Sequence, residues 1–137
     1  MKAFIDTSAW FAAANANDRH HKRASELFAA ELEFVTSTFV VIETWLLLQS
    51  RISFAVAEDF VAHLRQGAAT LEHNSIGDID RAAELAAAFG DQTFSLIDRT
   101  SFAMMERLGI TKVISFDADF VIYRYGPNRG RAFEVLR

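Results

Sequence analysis

The chain has 137 residues, 51% of them apolar and 23% charged, with fourteen Lys and Arg against eighteen Asp and Glu. A single compact domain over 1–137 is expected from that length, and the apolar share excludes intrinsic disorder. The net charge of −4 has the wrong sign for coating nucleic acid by bulk electrostatics, and the lack of cysteine removes disulfides, thiolate nucleophiles and sulfur-ligated zinc.

Lys2 to Ile5 reads as a short strand, after which Asp6-Thr7-Ser8 turn the chain and cap a helix from near Ala9. From His20, the residues Ala24, Leu27, Phe28 and Leu32 recur at helical spacing, with Arg19, Lys22, Arg23 and Glu26 facing water. Glu33 to Thr36 is a second brief strand, and Ser37 or Thr38 caps a helix running through Leu48. That helix is apolar on nearly every side and is expected to be buried. It is also only half a membrane span, interrupted by Glu43 and Thr44, and Met1 to Ile5 is too short for a signal peptide. A soluble, unexported protein of the cytoplasm, with no membrane association, is expected.

Ser53 to Leu64 is helical and stops at Gly67, Thr70 to His73 is a weak strand, and Asp78 to Phe89 is an alanine-rich helix ending at Gly90. A further helix runs from Leu96 to Leu108 and closes at Gly109. Lys112 to Phe116 has the unbroken apolar character of a buried parallel strand, Gly126 to Gly130 reads as a loop, and Phe133 to Leu136 as the last strand. Alternation of this kind predicts an α/β fold, a three-layer α/β/α sandwich around a central, mostly parallel sheet.

Ligands of such sheets bind beyond the carboxyl ends of the strands, where the following helices also begin. Asp6 and Asp117 each follow a strand directly, and Asp98 lies in the first turn of its helix on the same rim. Glu43 stands about 9 Å along its helix axis and must reach back. Its carboxylate, set among Val41, Ile42, Trp45, Leu46 and Leu47, requires a positive partner.

Each acid also has a plainer reading. Asp6 can cap a helix, Asp98 can favour a helix dipole, Asp117 and Asp119 can form a turn, and Glu43 can pair with Arg51 or Arg99. Joint placement of Asp6, Glu43, Asp98 and Asp117 favours a shared site, and without those four the chain is balanced at fourteen acids against fourteen bases. Hard oxygen ligands with no His or Cys suit Mg²⁺ or Mn²⁺, whose usual work is on phosphates. Ser8 and Thr100, two residues past Asp6 and Asp98, offer hydroxyls to orient a carboxylate or a water, or serve as ordinary helix-start residues. The basic run Arg19 to Arg23 is either a solvated face or a contact for a nucleic-acid backbone.

With these positions assembled, the chain resembles the PIN-domain nucleases, and among them the VapC-type ribonuclease toxins of toxin–antitoxin pairs. Phe4-Ile5-Asp6-Thr7-Ser8-Ala9-Trp10 resembles the family's first acidic motif, and Glu43 in Val41-Ile42-Glu43-Thr44 its second. Leu96-Ile97-Asp98-Arg99-Thr100-Ser101-Phe102-Ala103 is similar to the third, and Phe116-Asp117-Ala118-Asp119-Phe120 to the fourth. The resemblance implies a PIN-like fold and a Mg²⁺-dependent endoribonuclease that cleaves RNA. It implies further that Asp6 and Asp98 hold the metal, that Glu43 and Asp117 complete the pocket, and that Asp119 is an alternative to Asp117. It also implies a homodimer and a cognate antitoxin protein. The rival reading is a non-catalytic module that keeps the fold to bind a protein partner.

Overall fold

The computed structural model describes all of residues 1–137. Five strands, β1 (Lys2–Ile5), β2 (Glu33–Ser37), β3 (Thr70–Glu72), β4 (Lys112–Ile114) and β5 (Glu134–Leu136), form one sheet in the order β3-β2-β1-β4-β5. Every pairing is parallel, so every connection is a crossover. The helices are α1 (Thr7–Ala14), α2 (His21–Phe28), α3 (Thr38–Arg51), α4 (Phe54–Arg65), α5 (Ile76–Ala88), α6 (Leu96–Leu108) and α7 (Asp119–Ile122). Right-handed crossovers from β1 to β2 to β3 carry α1–α4 over one face. The return from β3 to β4 and on to β5 lays α5–α7 over the other. The contacts agree, since α1 packs on α2 and α3, α3 on α4, α5 on α6, and α6 on α7.

Central strands covered on both faces carry near-continuous apolar runs, and β1 and β4 do. Ala3, Phe4, Ile5, Val113 and Ile114 have no exposed surface. Above β1, the Trp10 indole donates to Thr36 Oγ1 (3.2 Å), which in turn donates to the Ile5 carbonyl (3.0 Å). On the opposite face Phe102 stacks on Tyr123 with ring centroids 4.0 Å apart, and Phe120 meets Phe102 edge-on at 5.0 Å. α6 ends as its sequence dictates, with Gly109 in the left-handed region at φ 68°. No helix is long and apolar enough to cross a membrane.

Three expectations are revised. α3 is not buried all round: only Val40, Thr44 and Leu48, spaced four apart, are buried, whereas Ile42 and Leu46 are 61% and 56% exposed. The helix lies in an outer layer against β2, α1 and α4, so one stripe is covered and another stays open. Helix α1 starts at Thr7, with the extended residue Asp6 in the N-cap position but making no side-chain cap bond. Between β4 and the Gly126–Gly130 loop, where the sequence marks no helix, the chain forms α7, and the loop itself holds a single 3₁₀ turn at Pro127–Arg129.

Candidate active site

Strand order reverses at β1, with β2 on one side and β4, reached by the return crossover, on the other. A crevice opens beyond the carboxyl ends of strands at such a point. Here it is a cleft of about 440 Å³ lined by Asp6, Glu43, Asp98 and Asp117 together with Arg19 and Arg51.

Asp6 is 2% exposed. Its backbone N–H donates to the Ile114 carbonyl (3.1 Å), extending the β1–β4 pairing and bringing the residue beside Ser115. Ser115 Oγ (2.9 Å) and Ser8 Oγ (3.0 Å) both donate to Asp6 Oδ2. The same two serines accept backbone N–H groups of the next strand-to-helix turn, Ser8 from Phe116 (2.9 Å) and Ser115 from Asp117 (3.1 Å). Two hydroxyls therefore tie the end of β1 to the end of β4 and leave the other Asp6 oxygen, Oδ1, buried with no partner. Burial, opposed by the bonds from Ser115 and Ser8 and reinforced by the charge of Asp117, raises the Asp6 pKa to about 6.

Asp98 sits in the first turn of α6, its N–H donating to the Ser95 hydroxyl (3.0 Å). Carboxylate oxygens of Asp98, Asp117 and Asp119 all lie within 4.8 Å of one another. Burial, then the charge of Asp6, then the neighbouring Asp119 and Asp117 carboxyls push Asp98 up to about 9. The turn reading of the fourth motif is present as well, because Asp117 Oδ1 accepts the Asp119 N–H (3.0 Å). That bond directs both acids to the same side, so the structure brings Asp119 as well as Asp117 to Asp98.

Glu43 reaches the rim of the cleft but is outside that tight group. It is half-buried rather than enclosed, because the neighbouring Ile42 and Leu46 are exposed. It pairs with neither Arg51 nor Arg99, and the Arg99 guanidinium instead donates to the Phe94 and Ala82 carbonyls. Thr100 is fully buried and commits its hydroxyl to the Ile97 carbonyl (2.8 Å) within α6. Sequence reasoning missed Ser115, whose only signal was a small hydroxyl residue where β4 ends beside Asp6. It also left open the basic run, whose members now part company. Arg19 and His20 line the cleft, His21 Nδ1 bonds the Ala12 carbonyl (2.8 Å), and Arg23 pairs with Glu26 at the surface.

Clustered buried carboxylates are costly unless a cation joins them. None of Asp6, Glu43, Asp98, Asp117 or Asp119 belongs to an ion pair. An unpartnered Asp6 oxygen, three convergent aspartates and an all-oxygen donor set fit a hard divalent metal ion.

Comparison with known proteins agrees with this arrangement. Residues 3–125 match the model of the PIN domain. The chain is 36% identical over 118 residues to the 23S rRNA-specific endonuclease VapC20 of Mycobacterium tuberculosis, covering 85% of this chain and 90% of that protein. The crystal structure of M. tuberculosis VapC20, described as a sarcin–ricin loop cleaving toxin, superposes with a TM-score of 0.83 at 33% identity, covering 87% of this chain and 92% of that one. More distant likenesses of fold are a toxin–antitoxin complex from Klebsiella pneumoniae (TM-score 0.60, 14% identity, 85% and 88% of the two chains) and VapBC2 from Rickettsia felis bound to a promoter DNA fragment (TM-score 0.62, 12% identity, 88% and 91%). An end-to-end match of this kind, over a sheet whose switch point gathers the four acidic motifs, makes the chain a member of the PIN-domain nucleases, in their VapC group.

Proposed function

We propose that this protein is a Mg²⁺-dependent endoribonuclease of the toxin type, with structured ribosomal RNA as its substrate. The observation that carries the reading is the gathering of Asp98, Asp117 and Asp119 beside an unpartnered Asp6 oxygen, with no cation of the protein among them. Asp6 and Asp98 are the residues to hold the metal, with Asp117, Asp119 and Glu43 completing the acidic wall; Mn²⁺ would satisfy the same donors. A divalent ion in such a site supplies Lewis acidity and a nucleophilic water for phosphodiester hydrolysis.

The chain's own residues do the rest. Ser8 and Ser115 hold Asp6 by Oδ2 and leave Oδ1 uncommitted, and the Ser115 bond to the Asp117 N–H keeps the opposing acid in register. Arg19 and Arg51, the arginines lining the cleft, are placed to hold phosphates on either side of the cut, which reconciles a net negative chain with a polyanionic substrate. Likeness to VapC20 supports 23S rRNA, with its sarcin–ricin loop, as the target, and with it a cytoplasmic location.

A cognate antitoxin is the proposed protein partner, supported by the VapC relationship. A homodimer is supported by the open stripe of α3, where Phe39, Ile42 and Leu46 with Ile97, next to Glu43, line a mainly apolar cleft of about 450 Å³.

The test is cleavage of 23S rRNA by wild type and by Asp6→Asn, with thermal melting in Mn²⁺ and in chelator. Cleavage and a metal-induced rise in melting temperature are expected for wild type, and loss of both in a folded Asp6→Asn. Full activity in Asp6→Asn sinks the site assignment, and a wild type that neither cleaves nor responds to metal points to the binding module.

A further inference from the structure

Beside the acidic wall the cleft has an aromatic lip that hydrolysis itself does not require. His20 lies flat on Phe116, with ring centroids 4.4 Å apart and planes within 3° of parallel. Both rings line the cleft, and Phe116 is the residue immediately before Asp117. Each partner of the stack is fixed from its backbone. The His20 N–H donates to Asp18 Oδ1 (2.7 Å), and the Phe116 N–H donates to Ser8 Oγ (2.9 Å). The next residue pins the turn further through the bond between His21 Nδ1 and the Ala12 carbonyl.

The use of His20's surface can be followed side by side. Phe116 covers one face. Arg19 Nε donates to His20 Nε2 (3.0 Å), and a hydrogen bond to a ring nitrogen lies in the ring plane, so the guanidinium occupies an edge and not a face. No other ring of the protein stacks on His20, which is only half-buried. His20 lines the cleft, so the surface that Phe116 leaves uncovered, crossed by no second ring, is presented there beside the Arg19 cation. Flat, preordered surfaces next to a phosphate-binding arginine are what an unstacked nucleobase needs, because its π-face finds a partner and little side-chain freedom remains to be lost.

Resting on the endoribonuclease reading, we infer that the open face of His20 is a nucleobase subsite, on which a base flanking the cleaved phosphodiester stacks to continue the Phe116–His20 column. The scissile phosphate then lies at Asp117 and Asp98, while Arg19 meets the phosphate of the stacked nucleotide. Purines are favoured there by their larger ring area. The subsite gives the enzyme a preference for RNA whose bases can be splayed out at the cut, in loops and bulges.

The experiment maps the wild-type cut in a synthetic sarcin–ricin loop hairpin and then replaces each flanking nucleotide in turn by an abasic ribose. KM and kcat are measured for wild type, His20→Ala, His20→Phe and His20→Gln, and melting temperatures in Mn²⁺ check that metal binding survives. For wild type, one abasic position is expected to raise KM about five-fold to a hundred-fold, the range of a base–aromatic stack. His20→Ala is expected to show the same rise on intact RNA and no further rise on that abasic RNA, His20→Phe to restore wild-type behaviour, and His20→Gln to resemble His20→Ala.

Independent, multiplying effects of the abasic position and of His20→Ala would overturn the subsite, as would wild-type behaviour of His20→Ala on intact RNA. A fall in kcat and metal response alone, the same on every RNA, would also overturn it, assigning His20 to bracing Phe116. A wild type that leaves the hairpin and 23S rRNA uncut defeats the nuclease reading first, and this inference with it.

Discussion

Helices α5 and α6 pack side by side and begin with the same local pattern, a serine followed three residues later by an aspartate: Ser75-Ile76-Gly77-Asp78 and Ser95-Leu96-Ile97-Asp98. In both, the serine hydroxyl accepts the aspartate N–H, and in both the aspartate is buried. There the likeness ends. Asp78 folds back to accept the Ser75 N–H (3.0 Å) and takes two further bonds from Arg107 Nε and NH2, each 3.0 Å. Burial acts to raise its pKa, but the Arg107 and Ser75 bonds outweigh burial and hold it below the usual carboxylate range. Asp98 lacks the return bond and an arginine, and faces Asp6, Asp117 and Asp119. One buried carboxylate is satisfied by the protein and serves stability. The other is left with like charges for neighbours, an arrangement that is unfavourable until a cation joins it.

The largest effect should come from breaking the unsatisfied side. Asp98→Asn is expected to lower RNA cleavage on the order of a hundred- to thousand-fold, the scale of losing one electrostatic group from a reaction centre. In chelator at pH 8 the same variant should melt higher than wild type, because Asp98 must take up a proton as the metal-free chain folds and the amide need not. Unimpaired cleavage, or a lower melting temperature, would erase the distinction between the two aspartates.

Arg107→Ala should do the reverse. It strands the Asp78 carboxylate and is expected to cost about 1–3 kcal/mol in urea unfolding, less than a fully buried pair because Arg107 is itself 43% exposed. Cleavage per folded molecule should stay at the wild-type level.

The smallest effect is the sharpest in sign. Asp6 and Asp98 have raised pKa values, so between about pH 4 and 9 the metal-free native state holds more protons than the unfolded chain. Stability in chelator should therefore fall as pH rises through about 6 and then about 9. Asp78, whose pKa is lowered, adds stability that is present above about pH 4 and lost as pH drops below it. Melting curves across pH should show Asp98→Asn flattening the alkaline limb and Asp78→Asn flattening the acid limb; an exchange of those two assignments would refute the account.

Much of the scaffold was legible along the chain because it rests on local chemistry. Ser37 and Ser53 cap α3 and α4 through bonds from Val40 and Val56 N–H, and Gly109 closes α6. The apolar run at Lys112–Ile114 marks a strand covered on both faces. Less visible were α3's open stripe, since an apolar residue facing solvent has the same letter as one facing the core, and α7, which is only four residues long. At the site, the placement of Asp6, Asp98 and Asp117 on one rim followed from strand ends and a helix start. Of the serine bridge only Ser8, two residues past Asp6, was a candidate to orient a carboxylate; Ser115 meets Asp6 through β1–β4 pairing across more than a hundred residues.

By itself the sequence determined which residues cap, turn and bury, and therefore that acids would stand at strand ends and helix starts. The shared Ser-x-x-Asp pattern did not distinguish Asp78 from Asp98; what singled out Asp98 was its place on the rim and its likeness to an acidic motif, neither of which states what surrounds either carboxylate. Only the tertiary structure decided that Arg107 would neutralise the first and that Asp6, Asp117 and Asp119 would crowd the second. The reason is that a carboxylate's charge state and use depend on what stands within a few ångströms, and in a parallel sheet those neighbours arrive by crossovers from distant parts of the chain.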